Sequence, residues 1–168
     1  IRGVKNAKVY IEEESHPSVI EAAKDLPKFS NLEDSTIIST ATTNNELGRR
    51  VRELRKKNNL PAGKAGSQYP LLHVDASQTA QYFNVGLEIL SCDLITLDSA
   101  KLYGPKGIGV LVVRRGVELD LPPLGTPPVP LIAGFCKAFE IAVRDRENER
   151  ERLTSLSTLF VKSIQGMS

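Results

Sequence analysis

Apolar residues in this chain fall in short runs that alternate with stretches of helical spacing. Residues 4–12 carry a brief apolar pattern around Val9, Tyr10 and Ile11 and then turn polar, which predicts a strand leading into His16-Pro17-Ser18. Val19, Ile20, Ala23 and Leu26 next share one helical face, with Ser15 or Ser18 as candidate cap and Pro17 compatible with a first turn. The β-branched run Thr36-Ile37-Ile38-Ser39-Thr40 predicts a strand that ends near Asn44-Asn45. Residues 49–58 have a helical pattern with Val51 and Leu54 inward, and residues 60–70, with two prolines and two glycines, predict a loop. Further strands are expected over Leu71 to Val74, ending in Asp75, over residues 92–97, ending at Asp98-Ser99-Ala100-Lys101, and over residues 108–113 after the Gly104-Pro105-Lys106-Gly107 turn. Residues 121–130 are too rich in proline for regular structure. A long helical pattern then runs through Ile132, Phe135 and Phe139, crosses a charged stretch at residues 144–152, and resumes with Leu153, Leu156 and Ile164. It is one helix or two broken near the charges, and Gly166 marks its end.

Short strands alternating with helices predict an α/β fold with a mostly parallel or mixed sheet flanked by helices. In such sheets ligands bind beyond the carboxyl ends of the strands. Polar clusters occur at four such ends: Ser15-His16, Asn44-Asn45, Asp75 to Gln78, and Asp98 to Lys101.

Composition narrows the class. The chain has 168 residues, 40% apolar and 25% charged, which suits one soluble globular domain. A net charge of +2 gives no footprint for nucleic acid, and the six Arg or Lys within residues 49–57 belong to the solvated face of a helix. Two cysteines, Cys92 and Cys136, can neither build a disulfide scaffold nor supply a metal site, and both are expected to be buried thiols. Free thiols, with no signal peptide and no long apolar span, predict a cytoplasmic protein that does not enter a membrane. Ala62-Gly63-Lys64-Ala65-Gly66 lacks the glycine span and closing Gly-Lys-Ser/Thr of a phosphate-binding loop. The chain opens at Ile1 and soon enters a strand pattern, so upstream material is expected.

Lys101, after a strand and between small residues and a glycine turn, is placed as a lysine nucleophile would be, although most lysines after strands are surface residues. Asp75 closes an otherwise apolar strand and needs a partner. A pyridinium nitrogen is one, with Gln78 donating to a phenolic oxygen across the ring; a helix cap with Gln78 as reciprocal partner is the other. His16 can stack on a planar ring and move protons, or simply start a helix. Asn45 can bond a ring substituent or satisfy a loop backbone.

The segment Leu72-His73-Val74-Asp75-Ala76-Ser77-Gln78 and the segment from Cys92 through Lys101 to Gly109 closely resemble the cysteine desulfurases. Those are class V aminotransferase-type, fold-type I enzymes that use pyridoxal 5'-phosphate. Glu14-Ser15-His16-Pro17-Ser18-Val19, Asn44-Asn45-Glu46-Leu47-Gly48 and Gly125-Thr126 look like further motifs of that family in the same order. The resemblance implies the large cofactor-binding domain of such enzymes over residues 1–150, with residues 151–168 as a helix leading toward a small domain outside this chain. It implies Lys101 bonded to the cofactor's aldehyde carbon, Asp75 on the pyridine nitrogen, Gln78 and Asn45 on the phenolic oxygen, and His16 stacked on the ring. His73 is implied to lie near the cofactor. Thr126 would reach the phosphate of a neighbouring subunit, hence a homodimer.

The implied reaction takes sulfur from L-cysteine, leaving L-alanine and a protein persulfide that feeds a sulfur-acceptor protein in iron–sulfur cluster or thio-cofactor synthesis. The chain departs from the family pattern in several places. It starts after the family's phosphate loop, and segments after Gly48 and before Thr126 are shortened. Asp98 and Ala100 stand where the family commonly has serine and histidine, and an aspartate repels a phosphate. Neither Cys92 nor Cys136 matches the sulfur-accepting cysteine. A catalytically silent fragment, an aminotransferase and a selenocysteine lyase are the alternatives.

Overall fold

The computed structural model describes residues 4, 6–13, 15–28, 30–32, 34–41, 70–121 and 125–166. Asn45, the helix expected over residues 49–58 and nearly all of the loop expected over residues 60–70 lie outside the described residues.

Among the described residues, five strands form one sheet in sequential order: β1 (Val9–Ile11), β2 (Ile37–Ala41), β3 (Leu71–Asp75), β4 (Leu94–Asp98) and β5 (Gly109–Val113). β1 to β4 run parallel and β5 pairs antiparallel with β4, so the sheet is mixed. β4 and β5 are joined through a single 3₁₀ helix, Ser99–Leu102, and the glycine turn. That link is too short for the crossover a parallel pair requires, so β5 returns antiparallel.

Alternation along the strands separates two faces. Ile38, Leu72, Val74, Ile95 and Leu97 point to one side, where they form a continuous apolar cluster with Phe135. Each such fully buried Leu or Ile contributes about 1.5–3 kcal/mol. On the other side Val9, Ile37, Leu71 and Leu94 form a second cluster with Ala23 and Val117, but only at the amino ends of the parallel strands. Toward the carboxyl ends the same face becomes polar: Ser39 on β2, His73 and Asp75 on β3, Thr96 and Asp98 on β4. A strand core that is apolar on one face and half polar on the other leaves room for a ligand only where the polar half lies.

The first cluster is covered by α2 (Val129–Gln165), a helix 37 residues and about 55 Å long. The charged stretch does not break it. No Gly or Pro occurs between Gly134 and Gly166, and the charges pair along the helix, as Arg150 with Glu147 at 3.0 Å and Arg152 with Glu149 at 2.6 Å. The helix continues unbroken through residues 150 and 151 and is capped at Gly166, as its sequence predicts. Phe135, Phe139, Ala138 and Ala142 pack on the sheet, Arg146 donates to the Ala80 carbonyl at 3.1 Å, and Arg150 sits 5.3 Å from the centre of the Phe83 ring. From residue 151 onward every described residue is exposed, apolar Leu156, Leu159 and Phe160 included.

Three local expectations are corrected. Cys136 is exposed, because it sits on the side of α2 turned away from the sheet. Cys92 is buried but precedes β4 instead of lying inside it. α1 (Pro17–Ala22) is capped by His16, neither by Ser15 nor by Ser18, since the imidazole reaches the Ser18 N–H. Among the described residues no helix is long and apolar enough to cross a membrane.

Candidate active site

The polar half of the sheet opens into a cavity of about 720 Å³. Four residues singled out from sequence line it together: His16, Asp75, Gln78 and Lys101. Ser15, Ser39, His73, Thr96 and Asp98 also belong to its polar wall. Thr126 is exposed and is not among the lining residues.

Each group is held by its own stretch of chain. His16 lies between β1 and α1, where its Nδ1 accepts from the Ser18 N–H at 3.2 Å and lies 2.7 Å from Ser18 Oγ. Accepting at Nδ1 puts the ring proton on Nε2 of the neutral imidazole. Asp75 ends β3. Its Oδ1 accepts from the Ser77 N–H at 3.1 Å and from Ser77 Oγ at 2.7 Å, a local turn that fixes the carboxylate. Residues 77–82 form turns and not a helix, so the capping alternative for Asp75 falls away.

Lys101 is carried on the 3₁₀ helix. Asp98 caps that helix, accepting from the Ala100 N–H at 2.9 Å. The residue that departs from the family pattern thus serves the local structure, because it orients the turn that presents the lysine. Ser99 and Leu102 are buried beneath, while Lys101 is exposed at the cavity. Behind the turn α2 approaches closely. A Cβ at Gly104 would lie 2.3 Å from Ser99 Oγ and 3.0 Å from the Ala138 Cβ, and one at Gly134 would lie 3.0 Å from Pro105. Two glycines therefore let helix and turn close on each other, which locks the backbone beneath Lys101.

His73 lies on the central strand of the sheet and lines the cavity. Its side chain is 5% exposed, with Nδ1 2.8 Å from Ser39 Oγ and Nε2 3.1 Å from Thr96 Oγ1. Burial pushes its pKa down to about 4, against a smaller opposing pull from Asp75. In the unfolded chain the ring protonates near 6.5. As pH falls from about 6.5 to about 4 the unfolded state takes up the proton first, so stability should drop by roughly 3 kcal/mol across that window and show no contribution from this group above it. Urea midpoints against pH, compared with His73→Leu, check this. A variant curve parallel to the wild type would remove the group from the acid response.

Ser39 and Thr96 were not singled out from sequence. The available signal was a hydroxyl or imidazole at every second position of buried strands: such polar groups persist there only when they bond one another or a ligand.

The cavity has the character of a site for a planar, charged cofactor at one end. It offers a lysine, a carboxylate, an amide and an imidazole, and the Ser15 hydroxyl in its wall is buried with no hydrogen-bond partner among the described residues. Lys101 is the sole lysine or arginine among the described lining residues, and Asp75 and Asp98 are both carboxylates. The described wall therefore fits the ring and its aldehyde better than it fits a phosphate.

The family model for aminotransferase class-V matches residues 24–125, well over half of the chain. The chain belongs to the aminotransferase class-V family. Within this class, it is 33% identical to the cysteine desulfurase IscS of Dictyoglomus turgidum over 147 residues, 79% of this chain and 35% of that protein. It is 31% identical to the mitosomal cysteine desulfurase of Encephalitozoon cuniculi over 156 residues, 83% of this chain and 35% of that protein. The resemblance to cysteine desulfurases read from the motifs is thus shown across most of the chain, which spans about a third of the length of these relatives. Among solved structures, a NifS-like protein superposes with a TM-score of 0.77 at 23% identity, covering 96% of this chain and 52% of that one. The NifS-like protein of Rickettsia africae gives 0.74 at 16% identity, covering 98% and 53%. At these identities the likeness shows the fold, which is the α/β class expected from sequence.

Proposed function

We propose that this chain contributes the cofactor-holding part of a pyridoxal-phosphate-dependent cysteine desulfurase, an enzyme that removes sulfur from L-cysteine. The observation that carries the proposal is that His16, the Asp75–Gln78 pair and Lys101, which come from three separate stretches of the chain, line one cavity beyond the carboxyl ends of β1, β3 and β4. Family membership supports the cofactor class, and the cysteine desulfurase relatives support the substrate.

Lys101 would bond the aldehyde carbon, and the turn capped by Asp98 sets the direction from which its amine arrives. Asp75, held by Ser77, would pair with the ring nitrogen and keep it protonated. Gln78 and Asn45 would bond the phenolic oxygen, and the His16 ring, already turned by Ser18, would stack on the cofactor face. Bound there, pyridoxal phosphate supplies an electron sink for chemistry at the Cα of an amino acid. Lys101 and His16 are the groups at the cavity suited to moving the Cα proton. Thr126, exposed beyond the cavity, would serve a second copy in a homodimer. Residues 1–150 are proposed as part of the large domain and residues 151–168 as the helix toward a small one. The persulfide cysteine is neither Cys92, which is buried, nor Cys136, which lies on α2; its sulfur would pass to an acceptor protein. A cytoplasmic setting suits the two free thiols.

Titration of the protein with pyridoxal phosphate is the direct test. A protein-bound absorbance band that saturates and remains after unbound cofactor is filtered away is expected; a protein left colourless by that filtration would sink the cofactor assignment and favour a catalytically silent structural role. Analysis of the products formed by the full-length protein from L-cysteine and L-selenocysteine then separates a desulfurase from a selenocysteine lyase, and amino transfer to a keto acid would identify an aminotransferase.

A further inference from the structure

Three residues on three adjacent strands form one polar row across the cavity wall: Ser39 on β2, His73 on β3 and Thr96 on β4. Ser39 stands directly beside His73 in the ladder, and Thr96 stands directly beside Asp75. The imidazole therefore reaches diagonally, from its neighbour Ser39 at 2.8 Å to the residue paired with the carboxylate at 3.1 Å. We infer that His73 is a positioning residue for the cofactor: by holding the Thr96 hydroxyl it sets the polar surface beside Asp75, the carboxylate assigned to the ring nitrogen.

This inference rests on the proposed function and adds a residue to it. A neutral imidazole has one donor and one acceptor nitrogen, so with both nitrogens engaged one hydroxyl must donate to the ring and the other accept from it. The row has a direction, and neither hydroxyl turns independently of the ring. Thr96 also lines the cavity, so the orientation of its hydroxyl is felt by whatever lies against Asp75. A purely structural role would use the same two bonds to tie three strands together, with no preference between them. The positioning role depends on the Thr96 bond alone.

Two amide substitutions separate the roles. Asn carries its amide at the level of the imidazole Nδ1 and keeps the Ser39 bond; Gln carries its amide at the level of Nε2 and keeps the Thr96 bond. Dissociation constants for pyridoxal phosphate, read from the visible band, are compared with thermal midpoints of the unliganded proteins. His73→Asn should weaken cofactor binding about tenfold while His73→Gln stays within about threefold of wild type, the size of effect expected of one buried hydrogen bond. Thr96→Val, which removes only the hydroxyl and keeps the shape, should match His73→Asn, and combining the two should add no further loss. Equal affinities for the Asn and Gln variants, or a Thr96→Val protein that binds as tightly as wild type, would overturn the positioning role. If the wild type itself leaves the cofactor unbound, the proposed function fails and this inference fails with it; if the wild type binds and only the pattern among variants is absent, the proposed function stands and His73 is structural.

Discussion

Replacement of Lys101 by alanine abolishes the visible band produced by pyridoxal phosphate, while the same replacement at Lys106 leaves it intact: that is the outcome expected from the placement of the two side chains. Both lysines belong to the link between β4 and β5 and both are exposed, yet only Lys101 lines the cavity with Asp75 and Gln78. A covalent bond to an aldehyde needs an amine within bonding distance of a clamped ring, and loss of that amine leaves only noncovalent contacts. The effect on the band is all or none, whereas stability should move by no more than about 0.5 kcal/mol, the usual range for an exposed residue outside the packed core. Spectra and urea midpoints of the two variants provide both readings. Retention of the band in the Lys101 variant would show that another amine takes the aldehyde and that the motif has been misread.

The second large effect is expected far from the cavity. Asp93 is completely buried ahead of β4. Its Oδ2 accepts from the Leu72 N–H at 2.9 Å, and its Oδ1 lies 3.5 Å from Arg114 Nε. The Asp93 N–H in turn donates to the Leu72 carbonyl at 2.9 Å, so one residue pairs with both backbone groups at the start of β3. Arg114, just past β5, donates to the carbonyls of Cys92 and Leu87 as well. The carboxylate thus joins β3, β4 and the end of β5 in one network. Asp93→Ala leaves a buried strand N–H without its acceptor and takes the buried carboxylate from Arg114, whose other counter-charge is the exposed Glu88, and should cost about 1–3 kcal/mol, a large part of a domain's stability. Asp93→Asn keeps an acceptor for Leu72 and should lose less. Urea denaturation measures both; a midpoint unmoved in the alanine variant would show that water replaces the carboxylate and that the network contributes little.

Much of the candidate site was legible before any coordinates. Strand ends are visible in sequence because an apolar run stops at a polar residue, and the residues just after such stops, His16, Asp75 and Lys101, are the ones the fold gathers. The difficult cases were polar residues with a local and a distant use at once. Asp98 looked like a misfit for an anion site and proves to be the cap of the turn bearing Lys101. His16 is both helix cap and cavity wall, although Ser15 and Ser18 offer capping hydroxyls in the same short stretch of sequence. The two cysteines showed the same limit, since an apolar neighbourhood in sequence does not say which side of a long helix faces the sheet.

Pattern and motif alone determined the class of fold, the order of the strands and the family, because all of these depend on local periodicity and on short residue strings, whereas the terminal helical pattern stayed open between one helix and two until the structure showed one. Tertiary structure decided which residues face one another. The diagonal reach of His73 to Thr96, the burial of Asp93 against Arg114 and the closure of α2 on the glycine turn depend on strand register and interhelical approach. Those quantities are set by contacts between residues roughly 20 to 40 positions apart, as with the 34 that separate Ser39 from His73, and no local pattern encodes them.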